Sequence, residues 1–298
     1  MTDLIKPISA SPPLTDPILL VALAARRRGG RAAGYALADV VDLWNGDLVA
    51  SIDVDDVMDM TIRRPEIRRS PESIEIEWPE GKLYAARPPG AKHDFLLLIG
   101  FEPHFRWRTF AEAIADYTDS LGVKTLVSIR VFPGAVPHTR PTPILINASD
   151  LELELQFGVQ AGGAKYEGEA DIGSVLAARG QQLGWQTVDM TVLQPNYTPR
   201  GPNPAATLAI VTALDHAFGT NTSKDVLREA VTEWTKVLEG ALSDDAQTRA
   251  AIAELEQTYD TGAERLDFLT PSDERPSQLP SAEVLIEDIE RLFREGGS

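Results

Sequence analysis

The sequence lacks cysteine altogether and has far fewer basic residues than acidic ones. Without cysteine the chain has no disulfide, no thiolate nucleophile and no zinc site with a cysteine ligand. Its 28 lysines and arginines stand against 45 aspartates and glutamates, so the formal net charge is −17. Because nucleic-acid affinity needs a basic surface, we expect no nucleic acid among the partners.

Long hydrophobic runs are also missing. The strongest one, Ile18–Ala25, has eight residues, whereas a helix that crosses a bilayer needs about 20. The start of the chain has neither the basic stretch nor the cleavage site of a signal peptide. We therefore expect no membrane span and a cytoplasmic location. Hydrophobic residues still make up 43% of the chain, which is enough for a packed core.

Strand and helix patterns alternate through most of the chain. Apolar runs of strand length predict buried strands, and apolar residues at helical spacing predict helices between them. Because a strand, a helix and a second strand in succession give parallel strands, we predict an α/β fold with a mostly parallel central sheet. The predicted strands are Ile18–Ala24, Phe95–Gly100, Thr125–Val131, Ile144–Ala148 and Thr187–Leu193, and the predicted helices are Gly30–Leu43, Phe105–Leu121, Asp171–Leu183 and Pro204–Phe218.

One further segment, Ser73–Trp78, alternates strictly between polar and apolar residues. This pattern predicts a strand with one solvated face. We expect it to form a hairpin with Leu83–Ala86.

Both ends of the chain differ from the α/β domain, which we assign to residues 17–220. Residues 1–16 combine prolines with small polar residues, which predicts a flexible tail. Residues 221–298 hold 18 acidic and 8 basic residues and show only helical periodicity, which predicts an acidic helical appendage. Its apolar stripes either pack on the chain's own core or receive a partner helix. The stripes are Leu227, Val231, Trp234, Leu238 and Leu242; Ile252, Leu255 and Tyr259; and Leu285, Ile289, Leu292 and Phe293.

An arginine-rich run lies between the first strand and the first helix. Backbone N–H groups at a helix start favour anions, so four arginines there would clamp a phosphate. The glycines do not fit the dinucleotide pattern G-x-G-x-x-G, and no Walker lysine is present. The alternative is that these arginines are solvated, or pair with the protein's own carboxylates, including across a subunit interface. The candidate residues are Arg26, Arg27, Arg28, Gly29, Gly30 and Arg31.

A second candidate is the pentapeptide Pro137–Pro141, which follows the predicted strand Thr125–Val131. An imidazole and a guanidinium at a strand's carboxyl end suit acid–base catalysis or anion binding, with His138 and Arg140 in those roles. Alternatively, both side chains hydrogen-bond nearby groups and fix a loop or a subunit contact. Glu102, at another strand end, would partner one of them if the two strands are neighbours, or cap the following helix.

The sequence supports no metal site and no hydrolytic nucleophile. The four histidines show no ligand spacing, and no serine stands in G-x-S-x-G. The acidic cluster Asp53, Asp55, Asp56 and Asp59 resembles part of a calcium loop, but the turn glycine and the final glutamate are missing. We interpret it as a solvated helix start, and we expect no cofactor.

Several short motifs stand in order between Ile18 and Tyr259. With them the chain resembles the actinobacterial branch of the proteasome assembly chaperone 2 family. The resemblance implies a three-layer α/β/α sandwich, like that of phosphorylases and hydrolases, and a homo-oligomer, expected to be a trimer. The motifs are Arg64-Pro65, Trp78-Pro79, G-x-E-P-x-x-x-W-x-x-F from Gly100 to Phe110, Pro137–Pro141, Tyr166-Glu167-Gly168, Asn203-Pro204 and Ala206-Thr207.

Three segments depart from the family's usual pattern. Ala25–Gly30 replaces W-x-D-A-G, Pro195–Tyr197 replaces P-H-Y, and Gly168–Ile172 replaces G-P-T-G-I. All three lie at strand exits or helix starts, where this type of fold binds ligands. Asn196 therefore joins the arginine run as a candidate ligand-binding residue.

Two functions are compatible with these patterns. Because no complete catalytic set is present, the leading hypothesis is a non-catalytic oligomeric protein that binds an unidentified protein partner. The alternative is a phosphorylase-like or hydrolase-like enzyme, or a ligand sensor. It would use Arg26–Arg31 as an anion site, and Glu102, His138 and Arg140 as acid–base and binding groups.

Overall fold

The computed structural model describes residues 4–8, 13–24, 30–70, 72–158, 167–198, 201–242 and 246–261. The strands within these residues are β1 Ile5–Pro7, β2 Ile18–Ala24, β3 Asp47–Ile52, β4 Glu66–Arg69, β5 Ile74–Glu77, β6 Gly81–Ala86, β7 Phe95–Phe101, β8 Thr125–Gly134, β9 Ile144–Ala148 and β10 Gln186–Pro195. The helices are α1 Gly30–Leu43, α2 Trp107–Ser120, α3 Leu151–Gln156, α4 Ile172–Gln182, α5 Pro204–Phe218, α6 Asp225–Leu242 and α7 Ala246–Asp260.

Eight strands form one sheet in the order β1-β3-β6-β7-β2-β8-β10-β9, and β4 and β5 form a separate hairpin. The four central strands β7, β2, β8 and β10 are parallel, as predicted. The strands on both flanks pair antiparallel. Because β2 separates β7 from β8, the loops that follow those two strands are not neighbours.

Helices cover both faces of the sheet, which confirms the three-layer α/β/α sandwich. Alternate residues of β2 serve the two faces: Leu20 packs in one apolar core with α1 and α5, and Leu19 packs in the other with α2 and α4. Both leucines have 0% exposure. A strand buried on both faces needs apolar residues at every position, which explains the unbroken run ILLVALA.

Local sequence signals fix the helix starts nearest the carboxyl ends of the strands. Asp171 caps α4 by accepting a hydrogen bond from the Ser174 backbone N–H at 2.8 Å. Asn203 caps α5, and Pro204 follows at the first helical position, where a missing N–H costs nothing. Both helices begin where the sequence predicts.

The first two helices of the C-terminal region pack on the chain itself. Trp234, Leu238 and Leu242 of α6 form a small apolar core with Tyr197, and Ile252 and Leu255 of α7 pack against it. The intramolecular interpretation is therefore confirmed for these two helices. The predicted stripe from Leu285 to Phe293 lies outside the described residues.

Three expectations about local structure are wrong. The expected N-terminal tail contains an edge strand, β1, which pairs with β3; a proline is tolerated there because an edge strand leaves N–H positions unused. Strand β5 pairs with β4 instead of Leu83–Ala86, because β6 fills the place between β3 and β7 in the main sheet. The acidic cluster forms turns around Asp55 and Asp59 instead of a helix start.

Candidate functional site

The carboxyl edge of the parallel strands gathers most of the candidate residues. Strands β7, β8 and β10 end there at Phe101, Gly134 and Pro195. The chain between β3 and β6 also emerges at this edge, because β6 runs antiparallel to β7 with Lys82 opposite Ile99. The first four residues of the arginine run, 26–29, lie outside the described residues.

His138 is a buried side chain with 9% exposure. The Tyr197 hydroxyl accepts a hydrogen bond from the His138 backbone N–H at 2.9 Å, and it lies 2.9 Å from Nδ1 of the ring. The Tyr197 hydroxyl can therefore donate its own proton to Nδ1 of His138. Burial lowers the pKa of His138, against the charges of Glu239 and Glu256, so the neutral ring is favoured. Burial likewise raises the pKa of the Tyr197 hydroxyl.

Thr139 and Arg140 bind the last turn of α7. Arg140 donates from Nε and Nη2 to the two carboxylate oxygens of Asp260, each at 2.8 Å. The Thr139 hydroxyl donates to Glu256, and Tyr259 donates to the Pro141 carbonyl at 2.9 Å. This pairing lowers the pKa of Asp260 and raises that of Arg140. The pentapeptide thus anchors α7, as the alternative interpretation of these side chains predicts.

Glu102 neither pairs with His138 nor caps the helix that follows it. Its Oε1 accepts a hydrogen bond from the Ile172 backbone N–H at 3.0 Å, which satisfies the first turn of α4. A carboxylate at a helix N-terminus is favoured by the helix dipole. The expected contact with His138 is wrong because β2 lies between the two strand ends.

A partly buried ionic cluster near the same edge matches none of the sequence motifs. Arg130 of β8 has a side chain only 13% exposed and forms ion pairs with Asp171 and Asp189. Its Nη2 also donates to Ser174 Oγ at 3.0 Å. Burial alone would raise the pKa of Asp171, but the hydrogen bonds and charge of Arg130, helped by Ser174, lower it. Arg130 therefore fastens α4 to the sheet. The sequence signal is a charged residue inside an apolar strand.

The described part of the arginine run is Gly30 and Arg31, which open α1. Arg31 is exposed. The guanidinium carbon of Arg63 lies 3.1 Å from the centroid of the Phe101 ring, and burial together with the charge of Arg31 lowers the pKa of Arg63. Two cations therefore share this part of the edge. Asn196 stands at the end of β10, where its Oδ1 is buried without a hydrogen-bond partner among the described residues.

The hairpin of β4 and β5 exposes an apolar surface at this edge. Ile67 lies opposite Ile76, and Ile74 is two residues before Ile76 on the same side. Trp78 continues that alternation. Their exposures are 58% for Ile67, 60% for Ile74, 44% for Ile76 and 57% for Trp78. We call these four residues the hairpin face.

The other side of the hairpin is charged. It carries Glu66, Arg68, Glu75 and Glu77, and Arg68 pairs with Glu77 at 2.8 Å. An isolated two-stranded hairpin is marginally stable in water, and a contiguous exposed apolar patch marks an interaction site. The hairpin face therefore has the properties of a protein-binding surface.

A cleft lies at the opposite end of the sheet. Its volume is about 610 Å³, and its walls include Ile18, Thr125 and Gln186, which begin β2, β8 and β10. Lys92 and His93 also line it. None of the candidate residues that the structure describes lies there.

Among the described residues, no group of three or more histidines, aspartates or glutamates stands close enough together to hold a metal ion. No helix in the same part of the chain is both long and apolar enough to cross a membrane.

Comparison with a family model matches residues 30–242 to the PAC2 family. The chain belongs to the PAC2 family. The resemblance seen in the motifs is confirmed, and the matched span ends at the last residue of α6. Helix α7 lies beyond it. No match was found among curated proteins.

Solved PAC2-like structures share the fold. A Mycobacterium tuberculosis protein of unknown function is 27% identical with a TM-score of 0.78, over 88% of this chain and 90% of that one. The proteasome-assembly chaperone homologue of Mycobacterium tuberculosis is 29% identical with a TM-score of 0.71, over 80% of this chain and 100% of that one. The archaeal proteasome activator PbaB of Pyrococcus furiosus is 14% identical with a TM-score of 0.62, over 79% of this chain and 97% of that one. This last likeness concerns the fold alone.

Proposed function

We propose that this PAC2 protein is a non-catalytic assembly module that binds another protein through the hairpin face. The observation that carries the proposal is the exposure of Ile67, Ile74, Ile76 and Trp78 on one side of a projecting hairpin. The engagement of Glu102, His138 and Arg140 in internal contacts supports it. A non-catalytic role also agrees with the name of the proteasome-assembly chaperone homologue, although that name describes the relative.

The proposal includes a homotrimer in the cytoplasm, built from the α/β domain of residues 17–220 with the acidic region 221–298 as its appendage. Light scattering tests the trimer directly. The expected molar mass is three times the 32.5 kDa of one chain, and a mass that stays at one chain over a wide concentration range would reject self-association.

The protein-binding surface is tested by comparing variants of the full chain as immobilised bait. We expect Ile76→Asp to lose a protein that the wild type retains, because a buried carboxylate opposes an apolar contact. Glu75→Gln, on the charged side of the same hairpin, is the matched control and should retain that protein. The binding is then measured with the purified partner. Equal affinities for the two variants would exclude the hairpin face.

A second candidate function is binding of a small anion, as in the enzyme or sensor alternative. The observation that favours it is the proximity of two cations, Arg31 and Arg63, with Glu66 as the carboxylate whose charge acts on Arg63. The test is the melting temperature in increasing inorganic phosphate, because a ligand that binds only the folded state raises it. A saturable rise that Arg63→Ala abolishes would support this function. A flat response would reject it.

A further inference from the structure

The cleft at the amino end of the parallel strands takes no part in the proposed function. Along it, Ile18 and Gln186 each pair with Thr125, so that these three residues form one row of the sheet. The cleft volume of about 610 Å³ falls within the range of small-molecule sites, which is about 300–1,000 Å³. The hairpin face and the pair of Arg31 and Arg63 lie at the carboxyl edge. The cleft is therefore a separate place in the molecule.

A hydrogen-bonded network fixes the chain on one side of the cleft. The Asp94 carboxylate is 2% exposed, accepts a hydrogen bond from the Thr15 backbone N–H at 2.6 Å and forms an ion pair with Arg87. The Asp94 backbone donates to the Thr15 carbonyl and accepts from the Ile18 N–H, both at 2.9 Å. The two residues between Thr15 and Ile18 line the cleft. This side is thus held in place without a ligand, and preorganisation of a site favours binding.

One wall of the cleft is apolar. Phe218 is buried there, and its ring meets the rings of Phe157 and His93 edge to face, with centroids 5.6 Å and 6.4 Å away. Leu153, which is also buried, lines the same space. These side chains offer a surface on which the apolar part of a ligand can pack.

The ionisable side chains around the cleft are mainly basic. Among the described residues that line it, Lys92, His93 and Lys124 stand with one carboxylate, Asp16, although the chain has a net charge of −17. Lys124 is paired with Asp119 at 2.7 Å. Lys92 is exposed and has no ion pair or hydrogen bond with any residue that the structure describes. One ammonium group at the cleft is therefore available to a ligand.

A lysine at this edge of the sheet can also serve the fold. Helices α2 and α5 end beside the cleft, at Ser120 and Phe218, and the carbonyl end of a helix favours a cation. Lys124 has that role, because its partner Asp119 lies in the last turn of α2. Lys92 instead belongs to the loop between β6 and β7. It is the lysine whose charge the described contacts leave unused.

We propose that this cleft binds a small organic anion that consists of a carboxylate on an apolar body. The carboxylate pairs with Lys92, and the body packs on Phe218 and Leu153. A neutral molecule of the same shape lacks the charge-assisted hydrogen bond, and a cation meets Lys92 with a charge of the same sign. The inference is independent of the proposed function, because the hairpin face lies at the other edge of the sheet.

Calorimetric titration of the full chain with octanoate tests this site. Octanoate should bind saturably, with one molecule per chain. Octanamide should bind about tenfold more weakly, because it loses the charge-assisted bond, and octylammonium should not bind. Absence of saturable octanoate binding would overturn the proposal, and so would equal affinities for octanoate and octanamide.

Two variants of the cleft test where octanoate binds. Lys92→Gln should abolish the preference for octanoate over octanamide, because the charge that distinguishes them is gone. Ala217→Leu, which adds volume to the lining next to Phe218, should weaken the binding of both compounds. Lys236→Gln removes an exposed lysine of α6 and is the matched control, which should keep the wild-type affinities within about twofold.

The result that would contradict this location is a preference for octanoate that persists in Lys92→Gln, since the carboxylate would then bind elsewhere. Melting curves without ligand confirm that the three variants fold. The comparison of Ile76→Asp with Glu75→Gln in partner binding involves neither octanoate nor the cleft. Failure of this proposal is therefore distinguished from failure of the proposed function.

Discussion

The carboxyl edge of the sheet has two regions with opposite surfaces. On the β8 side, polar residues of the type used in catalysis are engaged in internal contacts: His138 is buried against Tyr197, and Arg140 pairs with Asp260. On the β6 side, isoleucines and a tryptophan of the type used in cores are exposed. Residue type alone would therefore misidentify the site. In this protein the imidazole and guanidinium serve the fold, and the apolar side chains face outward.

The largest expected difference between the two regions is in stability. Leu238→Ala removes a side chain with 0% exposure from the core beneath α6, and such a cavity costs about 2–5 kcal/mol. Ile74→Ala, at 60% exposure, should change the free energy of unfolding by less than about 0.5 kcal/mol. Urea denaturation of both variants checks the contrast. Similar costs for the two would mean that the hairpin face is buried.

The next largest effect is a pH dependence of the free energy of unfolding that originates at His138, on the β8 side. Because the pKa of His138 is lowered from its ordinary value of 6.5 in the folded chain, the unfolded chain takes up its proton first as the pH falls. The free energy of unfolding should therefore decrease below about pH 6.5 and level off beneath the folded pKa. Urea denaturation at a series of pH values measures this slope.

His138→Gln should flatten that part of the profile, because the variant has no group that titrates there. A wild-type slope in His138→Gln would contradict the assignment of a buried neutral imidazole.

The smallest effect is local. Arg140→Ala removes the two hydrogen bonds to Asp260 while leaving the apolar contacts of α7 in place. We expect faster hydrogen exchange in the last turns of α7, with little change in the melting temperature, because exposed ion pairs contribute little to global stability. Arg68→Ala, which breaks an exposed pair on the hairpin, should leave exchange in α7 unchanged. Unaltered exchange in Arg140→Ala would show that the pair does not hold the helix.

Much of the α/β body could be predicted because its signals are local. The run Phe95–Gly100 and the cap Asn203-Pro204 each specify a strand or a helix start within a few residues, and both are where the sequence indicates. Strand β1 was not predicted because its pairing depends on β3, more than 40 residues away. Three residues are also too few to show a period.

The roles of the candidate site residues depend on contacts that are distant in the sequence. Arg140 meets Asp260 across 120 residues, and Glu102 meets Ile172 across 70. No rule of sequence spacing connects such pairs. The sequence therefore shows which residue types stand at the strand ends, but it does not show which residues they contact. The hairpin face was visible as the alternating segment Ser73–Trp78. The exposure of these residues depends on the pairing of β5 with β4 instead of β6, which the sequence did not indicate.

The most direct test of the account is one affinity measurement with a purified partner and two variants, Ile76→Asp and His138→Gln. If the hairpin face is the binding surface and His138 is structural, Ile76→Asp should weaken binding at least about tenfold, and His138→Gln should leave it within about twofold. The reverse result, with binding lost in His138→Gln and kept in Ile76→Asp, would contradict the account and return the site to the β8 side of the sheet.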